Sequence, residues 1–175
     1  MQVDYAFAAV LALILVAGAA VAQEGGGTLH AGVAKSDITT NAEGVRINDP
    51  LYAKALVLDD GTTRLAIVAM DVTAIGGIGE IGDDFLPALR ARIEEELQIP
   101  GAHVLVNASH NHPPVRMLCD PPEQLERTFD AVRRAAANMT EVLVGAGAGH
   151  EDRISMNRTL HLKDGKAWTI RHTNP

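Results

Sequence analysis

Residues 65–70 read LAIVAM, an uninterrupted apolar run that ends at Asp71. Because both faces of such a strand are apolar, the run predicts an interior β-strand with a helix covering each side. A second apolar run, VLV, follows at residues 104–106. Between the two runs, apolar residues recur at helical spacing at Leu86, Leu89, Ile93 and Leu97. That spacing predicts a helix that ends at Ile99-Pro100, and the whole stretch predicts a right-handed strand-helix-strand crossover with parallel strands.

The rest of the chain predicts further strands and a second helix. Strand-like patterns occur in residues 29–38, 52–58, 142–144, 154–162 and 167–170. Asp59-Asp60-Gly61 predicts the turn of a hairpin that leads into the run ending at Asp71. Residues 123–139 predict a helix with one inward apolar stripe. The stripe consists of Leu125, Phe129, Val132, Ala136 and Met139. We therefore predict an α/β (mixed α+β) fold: a mixed β-sheet with a parallel crossover and flanking helices.

The composition fits one compact domain of ordinary size. The chain has 175 residues, 47% of them apolar and 3% aromatic, and a formal charge of −7. Since the acidic balance comes without a basic cluster, we expect no nucleic-acid partner. Cys119 is the only cysteine in the sequence. A disulfide framework within the chain and a four-cysteine structural zinc site are therefore excluded.

The amino terminus carries an apolar stretch at residues 5–22, which ends in the small-x-small sequence Ala20-Val21-Ala22. We interpret residues 1–22 as a cleaved signal peptide and residues 23–28 as a linker. This interpretation predicts a secreted or periplasmic protein. The alternative is an uncleaved membrane anchor formed by residues 5–22, because a stretch of this length is close to the lower limit for a spanning helix.

The tripeptide His110-Asn111-His112 is the strongest local sign of chemistry. It lies in a loop that follows the second parallel strand, a position where loops commonly carry function. Two imidazoles two residues apart can point the same way and bind one metal ion. Asp71 ends the neighbouring strand, so its carboxylate is a candidate to accept the second N–H of one imidazole. The alternatives are polar loop histidines without a ligand and an acid that begins a turn.

The sequence shows no competing catalytic motif. Ser109 lacks a Gly-x-Ser-x-Gly elbow, and Cys119 lacks an identifiable paired base. The glycines at residues 76, 77 and 79 match neither a Walker loop nor a dinucleotide fingerprint. The other histidines occur singly, so we expect surface or edge positions for them. They are His30, His103, His150, His161 and His172.

Three segments carry a family resemblance: residues 31–39 (AGVAKSDIT), residues 49–61 (DPLYAKALVLDDG) and residues 99–112 (IPGAHVLVNASHNH). In order and spacing they resemble the amino-terminal part of the neutral/alkaline non-lysosomal ceramidases. The resemblance continues through Met156-Asn157-Arg158 and implies that residues 29–175 are the N-terminal part of a ceramidase-like catalytic domain. The chain ends soon after a predicted hairpin without a capping element, so we expect an incomplete catalytic domain.

The resemblance implies a zinc-dependent amide hydrolase that cleaves the N-acyl bond of ceramide. The first histidine of the family's His-x-His motif binds zinc, which assigns the metal to His110. The second faces the reacting amide, which makes His112 a catalytic residue. The family's Asn-Arg motif matches Asn157-Arg158, and Arg158 would hold the substrate carbonyl or the developing oxyanion. The family's other zinc ligands, a His, a Glu and a Tyr, fall outside the matched part, so we expect this chain to be inactive alone.

The resemblance also implies a lipid-like partner, ceramide, and with it peripheral contact with a membrane. It does not indicate an oligomeric state. Two other functions remain open. One is a non-catalytic exported α/β binding module with structural histidines. The other is a metallohydrolase of a different amide or ester, because the sequence displays no lipid-sized apolar groove.

Overall fold

The computed structural model describes residues 27–113, 117–153 and 159–169. The chain divides into two compact units, Met1–Val142 and Leu143–Pro175. The first contains a mixed β-sheet and two packed helices, and the second contains a small hairpin. The predicted α/β (mixed α+β) fold class is therefore confirmed.

The described part of the first unit holds five strands, two α-helices and a short 3₁₀ helix. In chain order they are β1 (His30–Asp37), β2 (Tyr52–Asp59), β3 (Arg64–Met70), α1 (Phe85–Leu97), the 3₁₀ helix (Gly101–His103), β4 (Val104–Ala108), α2 (Pro121–Ala137) and β5 (Thr140–Glu141). The helix predicted from residue 123 begins at Pro121 instead. A proline fits the first turn of a helix, where its missing N–H would have no partner inside the helix.

The five strands form one sheet with the order β4-β3-β2-β1-β5. The pairs β3–β2, β2–β1 and β1–β5 are antiparallel, whereas β3 and β4 are parallel, with Met70 opposite Ala108. Helix α1 lies between β3 and β4 in sequence, so the predicted parallel crossover is confirmed. The predicted hairpin between β2 and β3 is confirmed as well. Its turn contains Gly61 at a φ of 86°, a conformation that favours glycine.

The two faces of the sheet differ in how they are covered. Ala66, Val68 and Met70 of β3 are fully buried, and they share one core with the buried side chains of both helices. On the opposite face, Val33 is 70% exposed and Leu105 is 57% exposed. The expectation of a helix on each side of β3 is therefore wrong for the described residues. The antiparallel pairs β1–β2 and β2–β3 need no crossover helix, and both described helices pack on the face that carries Ala66, Val68 and Met70.

The buried face of helix α2 includes the predicted apolar stripe and extends beyond it. Its buried residues are Gln124, Thr128, Phe129, Ala131, Val132 and Ala135. Phe129 and Val132 belong to the predicted stripe, whereas Leu125, Ala136 and Met139 lie half-buried at its margin. Buried Gln124 is compatible with the core because its Nε2 atom donates to the carbonyl oxygen of Cys119 at 2.7 Å.

The strand predicted at residues 142–144 is wrong. The strand in this part of the chain is β5, which ends at Glu141 and pairs with His30 and Ala31. Val142 follows it and only donates its N–H to the carbonyl oxygen of Leu29 at 2.9 Å. Leu143 is fully exposed. The apolar run Val142-Leu143-Val144 is insufficient here, because a strand also needs a neighbour for its backbone groups.

The second unit contains a hairpin of two short strands. β6 (Thr159–His161) pairs antiparallel with β7 (Ala167–Thr169), as predicted for this part of the chain. Residues 154–158 of the predicted strand at 154–162, and residue 170 of the next one, lie outside the described residues. So does the predicted signal peptide. Among the residues that the structure describes, no helix has the length and apolar character needed to cross a membrane.

Candidate functional site

The candidate site lies where the two parallel strands end. Met70 and Ala108 are paired as the last residues of β3 and β4, and the N–H of Ser109 donates to the carbonyl oxygen of Met70 at 2.9 Å. Asp71 and His110 follow these strand ends directly. The predicted placement of His110 and Asp71 at one edge of the sheet is therefore confirmed.

His110 is held in an unusual backbone conformation and by a specific side-chain contact. Its φ of 58° lies in the left-handed region, which few residues other than glycine adopt. Its Nδ1 atom lies 2.8 Å from the carbonyl oxygen of Thr73. A carbonyl oxygen can only accept a hydrogen bond, so Nδ1 carries the proton and Nε2 carries the lone pair. In this tautomer Nε2 can accept a hydrogen bond or bind a cation.

His112 approaches the same nitrogen. Its Nε2 atom lies 3.3 Å from the Nε2 atom of His110, and the two rings meet edge to face at a centroid distance of 4.7 Å. Both residues are exposed. The two Nε2 atoms therefore lie within hydrogen-bond distance of each other, at a position that solvent can reach.

This separation fits two ligands of one zinc ion. Zinc binds imidazole nitrogen at roughly 2.0–2.1 Å in tetrahedral geometry, so two such nitrogens lie about 3.4 Å apart. The observed 3.3 Å agrees with that value. The described residues contain no group of three or more His, Cys, Asp or Glu side chains that could hold a metal ion. Within that part of the chain, His110 and His112 would be an incomplete ligand set.

Asp71 has other partners than the predicted imidazole. Its carboxylate accepts hydrogen bonds from Lys54 Nζ and from the N–H of Tyr52, each at 3.0 Å. Its own N–H donates to the carbonyl oxygen of Tyr52 at 2.9 Å. No hydrogen bond joins Asp71 to either imidazole in the described residues. Asp71 therefore ties the end of β3 to the start of β2, and Thr73 provides the acceptor for His110.

A polar cavity of about 420 Å³ opens beside His112. Asp71 lines it together with Asp49, Leu51 and Met117. Asp71 and His112 thus share one cavity although they form no direct bond. Its size is suited to a small group of a larger substrate.

None of the other candidate residues that the structure describes adds a second reactive group. Cys119 is buried, and burial raises the pKa of its thiol to about 11, so it is not a ready nucleophile. The predicted surface positions of the single histidines are confirmed for His30, His103, His150 and His161. Arg158 and Asn157 lie outside the described residues, as does His172.

Thr73 is the site residue that sequence reasoning missed. Besides its carbonyl contact with His110, its Oγ1 atom donates to the carbonyl oxygen of Asn111 at 2.9 Å. The sequence signal was weak: a hydroxyl residue two positions after the acid that ends a parallel strand. One of its two contacts uses a main-chain carbonyl, a group that every residue carries.

Comparison with known proteins identifies similar structures but no family. No family model and no curated protein matches the chain. The structure is similar to that of a neutral ceramidase from Pseudomonas aeruginosa, with a TM-score of 0.50 and 19% identity over 66% of this chain and 22% of that one. A ceramidase complexed with C2 aligns with a TM-score of 0.47 and 16% identity over the same shares.

The likeness to the Pseudomonas enzyme concerns the fold, because the sequence identity is low. The chain spans 22% of the length of that ceramidase. The described residues therefore have a ceramidase-like fold that corresponds to part of a larger structure.

Proposed function

We propose that this chain contributes part of the catalytic domain of a zinc-dependent amide hydrolase that cleaves the N-acyl bond of ceramide. The observation that carries the proposal is the convergence of the Nε2 atoms of His110 and His112, 3.3 Å apart, at the ends of two parallel strands. The ceramidase-like fold supports it, since the residues occupy a sheet edge where open α/β folds commonly bind ligands.

In this proposal His110 binds the metal through Nε2. The hydrogen bond from Nδ1 to Thr73 gives this nitrogen its lone pair and fixes the plane of the ring. A zinc ion held there would supply a water of lowered pKa, toward ~7, and a Lewis acid for the amide carbonyl. The other ligands come from outside the described residues.

The 3.3 Å separation is compatible with a second zinc ligand, but in this proposal His112 is a catalytic residue beside the metal ligand His110. Its imidazole lines the polar cavity and also lies next to Nε2 of His110. From there it would donate a hydrogen bond to the substrate carbonyl or deliver a proton to the leaving amine. The lipid chains extend out of the cavity, whose volume suits the polar amide region rather than a whole ceramide.

Arg158 is the proposed donor to the oxyanion. Its guanidinium is always protonated and presents several N–H groups in a rigid arrangement, which suits a negatively charged oxygen. In a form of the protein that hydrolyses ceramide, Arg158→Ala should lower kcat/KM by ~10²-fold or more and leave the zinc content unchanged. A parallel loss of zinc would instead assign Arg158 to the metal site.

Zinc binding by the full chain tests the proposed metal site. We expect isothermal titration to show one zinc ion per chain, with an affinity that falls by ~10-fold or more in His110→Ala and His112→Ala, since loss of even an indirect partner has effects of that size. His150→Ala is the matched control, because it removes an imidazole that is 86% exposed and whose nearest charged partner is Asp152 at 3.8 Å. Unchanged affinity in His110→Ala would contradict the proposal and favour the binding module with structural histidines.

Export belongs to the same proposal. A ceramidase that reaches lipid outside the cytoplasm needs a targeting segment, and residues 1–22 have the pattern of a cleaved signal peptide. Mass spectrometry of the exported protein should find Gln23 at the amino terminus. An intact amino terminus in the membrane fraction would support the anchor at residues 5–22 instead.

A further inference from the structure

Thr73 contacts the His110-Asn111-His112 segment at two points. Its main-chain carbonyl accepts from Nδ1 of His110 at 2.8 Å, and its hydroxyl donates to the carbonyl oxygen of Asn111 at 2.9 Å. We propose that Thr73 is a positioning residue, which fixes the orientation and the tautomer of His110 and so presents Nε2 to the metal. The metal part of this inference rests on the proposed function, whereas the tautomer part does not.

The residues before Thr73 give it a rigid base. Val72 is fully buried, and its N–H donates to the carbonyl oxygen of Met70 at 2.9 Å. Asp71 is held on both its main chain and its carboxylate by Tyr52, and by Lys54 in addition. A carbonyl group on such a short, anchored segment has little freedom to move. Thr73 can therefore transmit the position of β3 to the histidine loop.

The histidine loop needs this support because it is exposed and locally unfavourable. His110 has a φ of 58°, a backbone angle that residues with a Cβ atom avoid for steric reasons. The imidazoles have no burial to hold them in place, since both are exposed. The carbonyl of Thr73 accepts from His110, and its hydroxyl donates to Asn111, so Thr73 holds the residues on both sides of one peptide bond. These two hydrogen bonds thus offset the unfavourable conformation of His110 and restrict its ring at the same time.

The direction of the His110 bond decides what its other nitrogen can do. The tautomer of a neutral histidine is set by the partner of one ring nitrogen, and a carbonyl partner at Nδ1 selects the Nδ1–H form. If the loop moved away from Thr73, Nδ1 would lose that partner and the Nε2–H form would become populated. A protonated Nε2 atom cannot bind a metal, so release of the loop weakens the site.

The test uses the full chain without metal and reads the tautomer of His110 by long-range ¹H–¹⁵N NMR. In the wild type we expect the chemical shifts of the Nδ1–H form at His110. Thr73→Val removes only the hydroxyl contact to Asn111, and we expect a shift toward a mixture of both tautomers. Thr73→Ser keeps the hydroxyl and should restore the wild-type spectrum. Thr62→Val makes the same chemical change at an exposed turn residue and should leave the His110 signals unchanged.

Zinc affinity gives the second measurement. We expect Thr73→Val to bind zinc ~10-fold more weakly than the wild type, with recovery in Thr73→Ser. A wild-type chain that binds no zinc through His110 would overturn the proposed function, while the metal-free spectra would still decide the role of Thr73. Unchanged His110 spectra in Thr73→Val would overturn the positioning role. If Thr73→Val fails to fold, Thr73→Ala removes the hydroxyl without a new methyl group and allows the same comparison.

Discussion

Gly32 lies directly against the main-chain carbonyl of Ala135, so that a Cβ atom at residue 32 would come within 1.9 Å of that oxygen. The contact joins the middle of β1 to the last turns of α2. The carbonyl of Ala135 cannot turn away as a flexible side chain can, because it belongs to the helix backbone and accepts from the N–H of Asn138 at 3.2 Å. The close approach of β1 and α2 therefore requires glycine at this position.

Gly32→Ala should destabilise the protein by about 3 kcal/mol, because the new methyl group forces β1 and α2 apart. Urea unfolding followed by circular dichroism measures the change. Gly145→Ala is the matched control: a Cβ atom at residue 145 would meet no described atom within 4 Å, and the φ of Gly145 is not positive. We expect it to stay within about 0.5 kcal/mol of the wild type. Equal stability of the two variants would contradict the steric argument.

The left-handed conformation of His110 predicts a difference between two variants that both lack the imidazole. His110→Gly should be more stable than His110→Ala by about 1 kcal/mol, because glycine adopts a positive φ without steric cost. Denaturant unfolding of the two variants checks this difference. At the preceding position the order should reverse, with Ser109→Ala more stable than Ser109→Gly, since Ser109 has no positive φ. If His110→Ala were as stable as His110→Gly or more stable, residue 110 would have to leave the left-handed conformation when the imidazole is removed.

Much of the sheet could be predicted because its signals are local. The apolar run in β3, the turn before it and the helical spacing in α1 each specify one element, and a helix between β3 and β4 favours a parallel pair. Which face of the sheet the two helices cover could not be predicted in the same way. An apolar side chain on β3 indicates a contact with other apolar groups, but its identity does not show which face receives the helices. The burial of Gln124 on α2 was also missed, because it depends on a hydrogen bond that hydrophobicity does not measure.

The candidate site was predictable in its residue types but not in its supporting contacts. His110 and His112 stand out because two imidazoles two residues apart can point the same way and bind one metal ion. Asp71 was a reasonable partner by charge and by its position at a strand end. Lys54 reaches that carboxylate at 3.0 Å and has the complementary charge, so Asp71 is engaged by the neighbouring strand. The acceptor for His110 is a backbone carbonyl, which no side-chain pattern can indicate.

Asp130 predicts an acid-sensitive contribution to stability. Its carboxylate accepts from Ser36 Oγ at 3.2 Å, from Arg134 Nε at 2.7 Å and from Arg133, and so joins α2 to β1. Burial raises its pKa, but the hydrogen bonds from Arg133 and Arg134 outweigh this effect and hold the pKa below the usual 3.8. Because the folded pKa is lower than the unfolded one, the stabilisation is present above about pH 4 and is lost as the pH falls through the folded value.

Asp130→Asn should therefore lower the free energy of unfolding by about 1–2 kcal/mol at pH 7, through loss of bonds to a charged group. The difference from the wild type should shrink when unfolding is measured at pH 3. Asp152→Asn serves as the control, because the side chain of Asp152 is 77% exposed and the same change in charge should have little effect there. A difference that stays constant between pH 7 and pH 3 would show that the charge of Asp130 does not carry the contribution.

The burial of Cys119 predicts that its thiol reacts only after the protein unfolds. The residue is 2% exposed, and burial raises the pKa of its thiol to about 11. The reactive thiolate is therefore scarce at pH 7.5, and an alkylating reagent also lacks access to the sulfur atom. We expect iodoacetamide to modify the native chain at least ~10²-fold more slowly than the chain in denaturant, since a fully exposed cysteine has an ordinary pKa near 8.5. Mass spectrometry after a timed reaction measures both rates on the same residue. Rapid alkylation of the native protein would mean that the segment around Cys119 opens frequently. The N–H of Cys119 donates to the carbonyl oxygen of Ile38 at 2.9 Å, and frequent opening should make this N–H exchange quickly with solvent.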